Sequence, residues 1–258
     1  MDNFNLQELL ENALHFGHKK EKWNPKMKDY IYGVQEGVHV FDLTKTAAKL
    51  TEALNFIAKC AMEGKTPLFV GTKLQAQPLV EETAKTLNAY YVKSKWLPGL
   101  LTNFTTIKSR IGYYKDLLEK EKNRELEKYT KKEISAFKKE IAMLQEMFEG
   151  VKEMDRLPDF VFIVDVHKEK IALREAVRLK IPVVAIVDSN GDPSFVNYII
   201  PANDDAVKSV KYILNQVQTA FLKGRVGLAK LEPRVEKRVP KPDTAVKKTV
   251  KKTAVKSA

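Results

Sequence analysis

Phe160-Val161-Phe162-Ile163-Val164 and Val183-Val184-Ala185-Ile186-Val187 are two unbroken apolar runs, joined through a segment that reads as a helix from about Lys170 to Leu179. Strands with one wet face alternate apolar and polar residues. Continuous Val/Ile runs flanked by helices predict strands buried on both faces, the condition of a parallel sheet with right-handed helical crossovers.

The same rhythm extends outward. Val38 to Leu43 reads as a strand, and Thr44 as the N-cap of a helix over Lys45–Glu63. That helix has apolar positions at Ala47, Leu50, Leu54, Ile57, Ala58 and Ala61, and Gly64 stops it. Leu68–Val70 is the next strand, Leu74–Leu87 a helix, Tyr90–Val92 a short strand, and Asp204 to Leu222 a closing helix. Strands alternating with helices describe an open α/β domain of three layers.

Between Thr102 and Gly150 the rhythm changes, with dense charge and no strand signal. Ile107, Ile111, Tyr114 and Leu118 form one apolar seam at helical spacing, and Ile134, Phe137, Ile141, Leu144 and Phe148 form another. Thr130-Lys131-Lys132-Glu133 fits a capping box. The first helix is therefore expected to end near Tyr129 and the second to fold back as an antiparallel coiled-coil hairpin. One long helix is the competing reading. Residues 1–101 and 151–224 then form the two parts of one α/β domain, with 102–150 inserted between them.

The chain has 258 residues, 44% of them hydrophobic, enough for a full core. Its one cysteine, Cys60, lies in an apolar helical pattern, so no disulfide framework can form and a reducing compartment fits. Met1-Asp2-Asn3-Phe4 does not begin a basic-then-apolar leader, and no apolar run reaches membrane-spanning length. The expected location is the cytosol or its equivalent in an organelle. From Arg225 to Ala258 there are 11 Lys or Arg against 3 Asp or Glu, a net of +8, which leaves +4 of the total +12 for residues 1–224. With three prolines and no aromatics, residues 225–258 are expected to form a disordered basic tail, either attracted to polyanions or merely solubilising.

His15 to Gly33 is too polar for a core and too aromatic for a linker: His15-Phe16-Gly17-His18-Lys19-Lys20-Glu21-Lys22-Trp23-Asn24-Pro25-Lys26-Met27-Lys28-Asp29-Tyr30-Ile31-Tyr32-Gly33. Lysines can meet phosphates while Trp23, Tyr30 and Tyr32 offer flat faces to unpaired bases, a composition suited to folded RNA. A solvated loop whose rings plug the domain edge fits equally well.

Open parallel sheets place ligands at strand C-termini, so catalysis has to be weighed. No Gly-x-Gly and no Walker pattern occurs, which leaves nucleotide cofactors without a cradle. Asp165, Asp188 and Asp192 could hold a divalent cation for phosphatase-like chemistry, although Ser189-Asn190-Gly191-Asp192-Pro193 is strongly turn-like. His15 and His18 are spaced for metal ligation without cysteine partners nearby, and RNA contact is the other reading for them.

Several blocks occur in one order: His15-Phe16-Gly17-His18, Trp23-Asn24-Pro25-Lys26-Met27, Phe41-Asp42-Leu43-Thr44-Lys45-Thr46, Phe69-Val70-Gly71-Thr72-Lys73, Trp96-Leu97-Pro98-Gly99-Leu100-Leu101-Thr102-Asn103-Phe104 and Ile200-Pro201-Ala202-Asn203-Asp204-Asp205-Ala206. Together they resemble the bacterial small-subunit ribosomal protein S2 family, from about Leu9 to Leu222. The resemblance implies a Rossmann-like sheet with a protruding helical hairpin. It implies a non-catalytic role binding small-subunit ribosomal RNA and neighbouring proteins near the head–body junction, and recruitment of the messenger-binding protein S1. On this reading RNA contacts are expected at Lys19, Lys20, Lys22, Trp23, Lys26 and Lys28, and around the hairpin base at Lys73, Lys93, Lys95, Trp96, Asn103, Lys108 and Arg110. Trp96, beside Leu97, Leu100 and Leu101, also reads as core. No cofactor, small-molecule substrate or membrane partner is expected. The chain departs from the family pattern at Lys95, where arginine is usual, at Pro98, where a glycine pair is usual, and at Ser189, where threonine is usual. A free regulatory RNA-binding protein and a metal-dependent enzyme acting on a phosphorylated substrate are the alternatives.

Overall fold

A computed structural model describes residues 4–231. A short helix α1 (Leu6–Glu11) leads into three strands, β1 (Phe16–Lys19), β2 (Ile31–Gln35) and β3 (Val38–Phe41). These form a small antiparallel sheet in the order β1-β3-β2. Val38–Phe41 is thus a strand, but it does not belong to the parallel sheet. Its alternating burial marks it, since the burial of His39 and Phe41 exceeds that of Val38 and Val40.

Then come α2 (Leu43–Met62), β4 (Pro67–Val70), α3 (Gln77–Leu87) and β5 (Tyr90–Val92). Asp42, rather than Thr44, caps α2, its Oδ1 accepting the Thr44 N–H at 3.0 Å. After the inserted helices α4 (Phe104–Lys122) and α5 (Lys131–Phe148), the chain completes β6 (Phe160–Val164), α6 (Lys170–Arg178), β7 (Val183–Val187), β8 (Tyr198–Pro201) and α7 (Val207–Leu231). The large sheet has five parallel strands in the order β5-β4-β6-β7-β8, a Rossmann-like α/β arrangement.

Alternate residues of each strand enter opposite cores. Phe160, Phe162 and Val164 of β6 join Phe69, Leu50, Ile57, Ile213 and Phe221 on the face covered by α2, α3 and α7. Val161 and Ile163 join Leu68, Val183, Ala185 and Leu173 of α6 on the other. Each such fully buried side chain contributes about 1.5–3 kcal/mol, so the two-faced burial that the apolar runs predicted is the main source of stability here.

The insertion is two helices. Thr130 and Glu133 form the capping box, the Thr130 N–H donating to Glu133 Oε2 at 2.9 Å, which excludes one continuous helix. The first helix stops at Lys122, earlier than Tyr129, and a 3-10 turn over Glu125–Lys128 makes the bend. Ile111, Tyr114 and Leu117 of α4 and Ile141, Leu144 and Phe148 of α5 are buried, whereas Ile107, Leu118, Ile134 and Phe137 are only partly so. At the return, a Cβ on Gly150 would lie 2.1 Å from the carbonyl oxygen of Tyr91, so only glycine lets the chain pass this close to β5.

Two boundaries shift for local reasons. Asn203 Oδ1 accepts the N–H groups of Asp205 and Ala206, at 2.9 and 3.0 Å, which delays α7 to Val207. At its other end α7 continues to Leu231, where Arg225 lies over the Phe221 ring 5.0 Å from its centroid. Residues 225–231 are therefore helix rather than tail, and the remainder of the expected tail lies outside the described residues. Among the described residues no helix is long and apolar enough to cross a membrane.

Candidate nucleic-acid interface

The basic-aromatic segment is a structured platform. Between β1 and β2 it makes two 3-10 turns, Lys20–Lys22 and Pro25–Tyr30, the second capped by Asn24 Oδ1 accepting the Lys26 N–H at 3.1 Å. Ser189, beyond the end of β7, pins it twice. The Asn24 N–H donates to the Ser189 carbonyl at 2.8 Å and the His18 N–H to Ser189 Oγ at 2.8 Å. Met27 is fully buried as its anchor.

Lys19, Lys20, Lys22, Lys26 and Lys28 are all exposed on this platform. Lys26 is half committed, with Nζ 2.9 Å from Asp192. Trp23 is only partly exposed, its ring tilted against His39 at a centroid distance of 5.4 Å, so it offers less of a stacking face than its sequence setting suggested. Tyr32, 83% exposed on β2, offers more.

The second expected group divides. Lys95, Asn103, Lys108 and Arg110 are exposed at the start of the hairpin, with Lys108 3.4 Å from Asp155. Lys93 lies 2.7 Å from Glu81 and 3.8 Å from Glu149. Two expected contacts are corrected. Trp96 is buried to 5% exposure, its Nε1 donating to Glu175 Oε1 at 3.0 Å, so it is a core residue. Lys73 is 12% exposed and its Nζ contacts Asp165 at 2.8 Å, Asp204 at 2.6 Å and Asp205 at 2.7 Å. Burial opposes its charge, but the Asp204 charge and these hydrogen bonds outweigh that and hold the ammonium above its ordinary range. Such a lysine is an internal counter-ion, not a phosphate contact.

The three aspartates of the enzyme reading have different hydrogen-bond partners. Asp165 Oδ1 accepts the N–H groups of His167 and Lys168, at 2.8 and 3.0 Å, forming the turn after β6. Asp192 caps Ser194 and pairs with Lys26, apart from the other two. Asp188 instead meets His18, whose Nδ1 is 3.1 Å from Asp188 Oδ2 and whose Nε2 is 3.3 Å from Asp205 Oδ2. The hydrogen bond to Asp188 raises the His18 pKa above its ordinary value despite burial. Asp204 is fully buried, and burial together with the charges of Asp188 and Asp165 pushes its carboxyl up to about 8. Asp204 and Asp205 had been visible only as part of a sequence block, with nothing to say that they face Lys73.

The model of ribosomal protein S2 matches residues 9–224, spanning both halves of the sheet, the hairpin and the basic platform. The chain belongs to the ribosomal protein S2 family. It is similar to proteins called small ribosomal subunit protein uS2. That of Dictyoglomus thermophilum is 48% identical over 220 residues, 85% of this chain and 89% of its own. That of Coprothermobacter proteolyticus is 46% identical over 222 residues, 86% and 83% of the two chains. That of Fusobacterium nucleatum is 44% identical over 237 residues, 92% and 96%. As a ribosomal protein S2 family member the chain is a structural protein rather than an enzyme, which disposes of the phosphatase-like alternative.

Proposed function

We propose that this protein is a structural constituent of the small ribosomal subunit that binds ribosomal RNA through its N-terminal platform and the start of its hairpin. The observation that carries this reading is the exposure of Lys19, Lys20, Lys22 and Lys28 on a segment fixed to the sheet by Ser189. Charges held on a rigid support meet phosphates without the cost of ordering a loop, and each contact releases counter-ions. Lys95, Asn103, Lys108 and Arg110 supply a second group. The names of the relatives support the subunit, and the family resemblance supports recruitment of the messenger-binding protein S1 as the finer role.

Filter binding to small-subunit ribosomal RNA across a salt series tests the platform. Replacing Lys20, Lys22, Lys26 and Lys28 with Gln should weaken binding and shallow the log-log salt slope by roughly 0.7–0.9 per lost contact. An unchanged slope would reduce the platform to a solvated face. For the finer role, small subunits lacking this protein should retain less S1 and regain it on re-addition. Unaltered S1 content would remove that role.

A further inference from the structure

We propose that the cleft between α6 and the loops after β6 and β7 receives one nucleotide turned out of a single-stranded RNA segment. Its base stacks on Phe195 and its flanking phosphates meet Lys170 and Arg174. This rests on the RNA-binding reading above and adds to it a contact that neither the platform nor the hairpin supplies. The cleft measures about 280 Å³, and its lining includes the buried Val166 and Leu173 together with the exposed Lys170, Arg174 and Phe195. Sites for drug-sized ligands run from about 300 to 1,000 Å³, so a single base is the right scale of occupant.

Phe195 is held as a stacking face. It ends a 3-10 turn, Pro193–Phe195, capped by Asp192 Oδ1, which accepts the Ser194 N–H at 3.0 Å, and closed by the Val196 N–H donating to the Pro193 carbonyl at 3.0 Å. The ring is nevertheless 55% exposed, and it also lines a second cleft of about 380 Å³ with Val177, Ile181 and Pro182. A fixed ring left in water between two clefts gains by covering its face with a flat partner, and every base has one.

Charge selects a polyanion. Both carboxylates of α6 and its cap turn inward: Glu169 Oε1 accepts the Thr72 N–H at 3.3 Å, and Glu175 holds the Trp96 indole. Lys170, Arg174, Arg178 and Lys180 stay exposed, and among the described residues none of them has an ion pair. Asp192, the one carboxylate lining the cleft, is paired with Lys26 at 2.9 Å. An acidic peptide would also suit these cations. RNA is favoured because Asn24, from the platform between Lys22 and Lys26, lines the same cleft, so one strand can pass from the platform lysines to Phe195 without a break.

Filter binding of the full chain to small-subunit ribosomal RNA across a salt series tests the cleft, together with ultraviolet cross-linking of that complex read by mass spectrometry. Phe195→Ala should lower affinity about 5- to 150-fold, the usual loss for one stacked base, at an unchanged salt slope, and Phe195→Trp should restore it. Lys170→Gln with Arg174→Gln should instead shallow the log-log slope by roughly 0.7–0.9 per lost contact. In the unaltered chain the peptide containing Phe195 should carry a nucleotide adduct. Affinity and slope unchanged in these variants, while the platform glutamines still weaken binding, overturn the cleft and leave the RNA-binding reading standing. Adducts on platform peptides alone do the same without any variant. No RNA binding by the unaltered chain overturns both. A glutamate-rich peptide carrying tryptophan, bound by the unaltered chain and lost in the variants while RNA binding persists, would assign the cleft to a protein neighbour and overturn the proposal.

Discussion

Trp96 Nε1 donates to Glu175 Oε1 at 3.0 Å, joining the loop that leads into the hairpin to a helix on the far side of the chain's insertion. The same carboxylate accepts the N–H groups of Gly99 at 2.7 Å, Leu101 at 3.0 Å and Thr102 at 3.1 Å, and the Thr102 hydroxyl at 3.1 Å. One buried side chain thereby accepts from four N–H groups and one hydroxyl of the hairpin's approach. Burial alone would raise its pKa, but Trp96 and the backbone donors outweigh burial and hold it below the usual carboxylate range.

Glu175→Ala should therefore cost about 3 kcal/mol or more in urea unfolding, because several buried donors lose their acceptor together. Glu175→Gln should cost less while still disturbing the loop, since its amide nitrogen would face backbone N–H groups. A loss under about 0.5 kcal/mol in both variants, the ordinary range for surface positions, would remove the hub.

The same group sets an acid dependence. Its folded pKa lies below its unfolded value of about 4.3, so the stabilisation is complete above that value and is lost as pH falls through the folded pKa. Melting temperatures of the unaltered chain should fall more steeply than those of Glu175→Gln below about pH 4.3. Parallel curves would show that the carboxylate's charge contributes nothing.

Trp96→Ala and Trp23→Ala should separate the two tryptophans. The first should cost about 3–5 kcal/mol of stability, as large core deletions do. The second should cost less, its ring being partly exposed. Equal losses would contradict the placement of these rings.

Within the hairpin, Ile111→Asp or Ile141→Asp places a charge at a position 4% or 5% exposed. Circular dichroism should show partial loss of helix while the sheet persists, at a local cost of several kcal/mol. Undiminished helix in both variants would rule out the packing of α4 on α5.

Gly224→Ala distinguishes helix propensity from packing in α7. Alanine favours a helix by about 1 kcal/mol, yet a Cβ here would lie 2.4 Å from the Ala58 carbonyl oxygen and 2.8 Å from Ala61 Cβ. Overpacking of about 1–3 kcal/mol should win. A higher melting temperature would show that α2 and α7 do not approach this closely.

What was legible in the sequence follows from the range of the forces involved. Phe160–Val164 and Val183–Val187 announced themselves because burial on both faces writes a continuous apolar run, and Thr130–Glu133 because a capping box is local. Tyr198–Pro201 escaped because only three of its residues are buried and it ends in proline, and Phe16–Lys19 because it is a half-exposed edge strand. Lys73 reads as an RNA contact on the family resemblance, and nothing local in the sequence corrects that because its partners Asp204 and Asp205 lie 131 and 132 residues away. Glu175 carried no signal at all: a glutamate on an amphipathic helix reads as solvated until the fold brings the Trp96 loop over it.

Membership of the small subunit can be read from sedimentation of the native protein through a high-salt gradient. The protein should travel with small subunits in about one copy each and be absent from free large subunits. Recovery at the top of the gradient, free of ribosomal RNA, would contradict it.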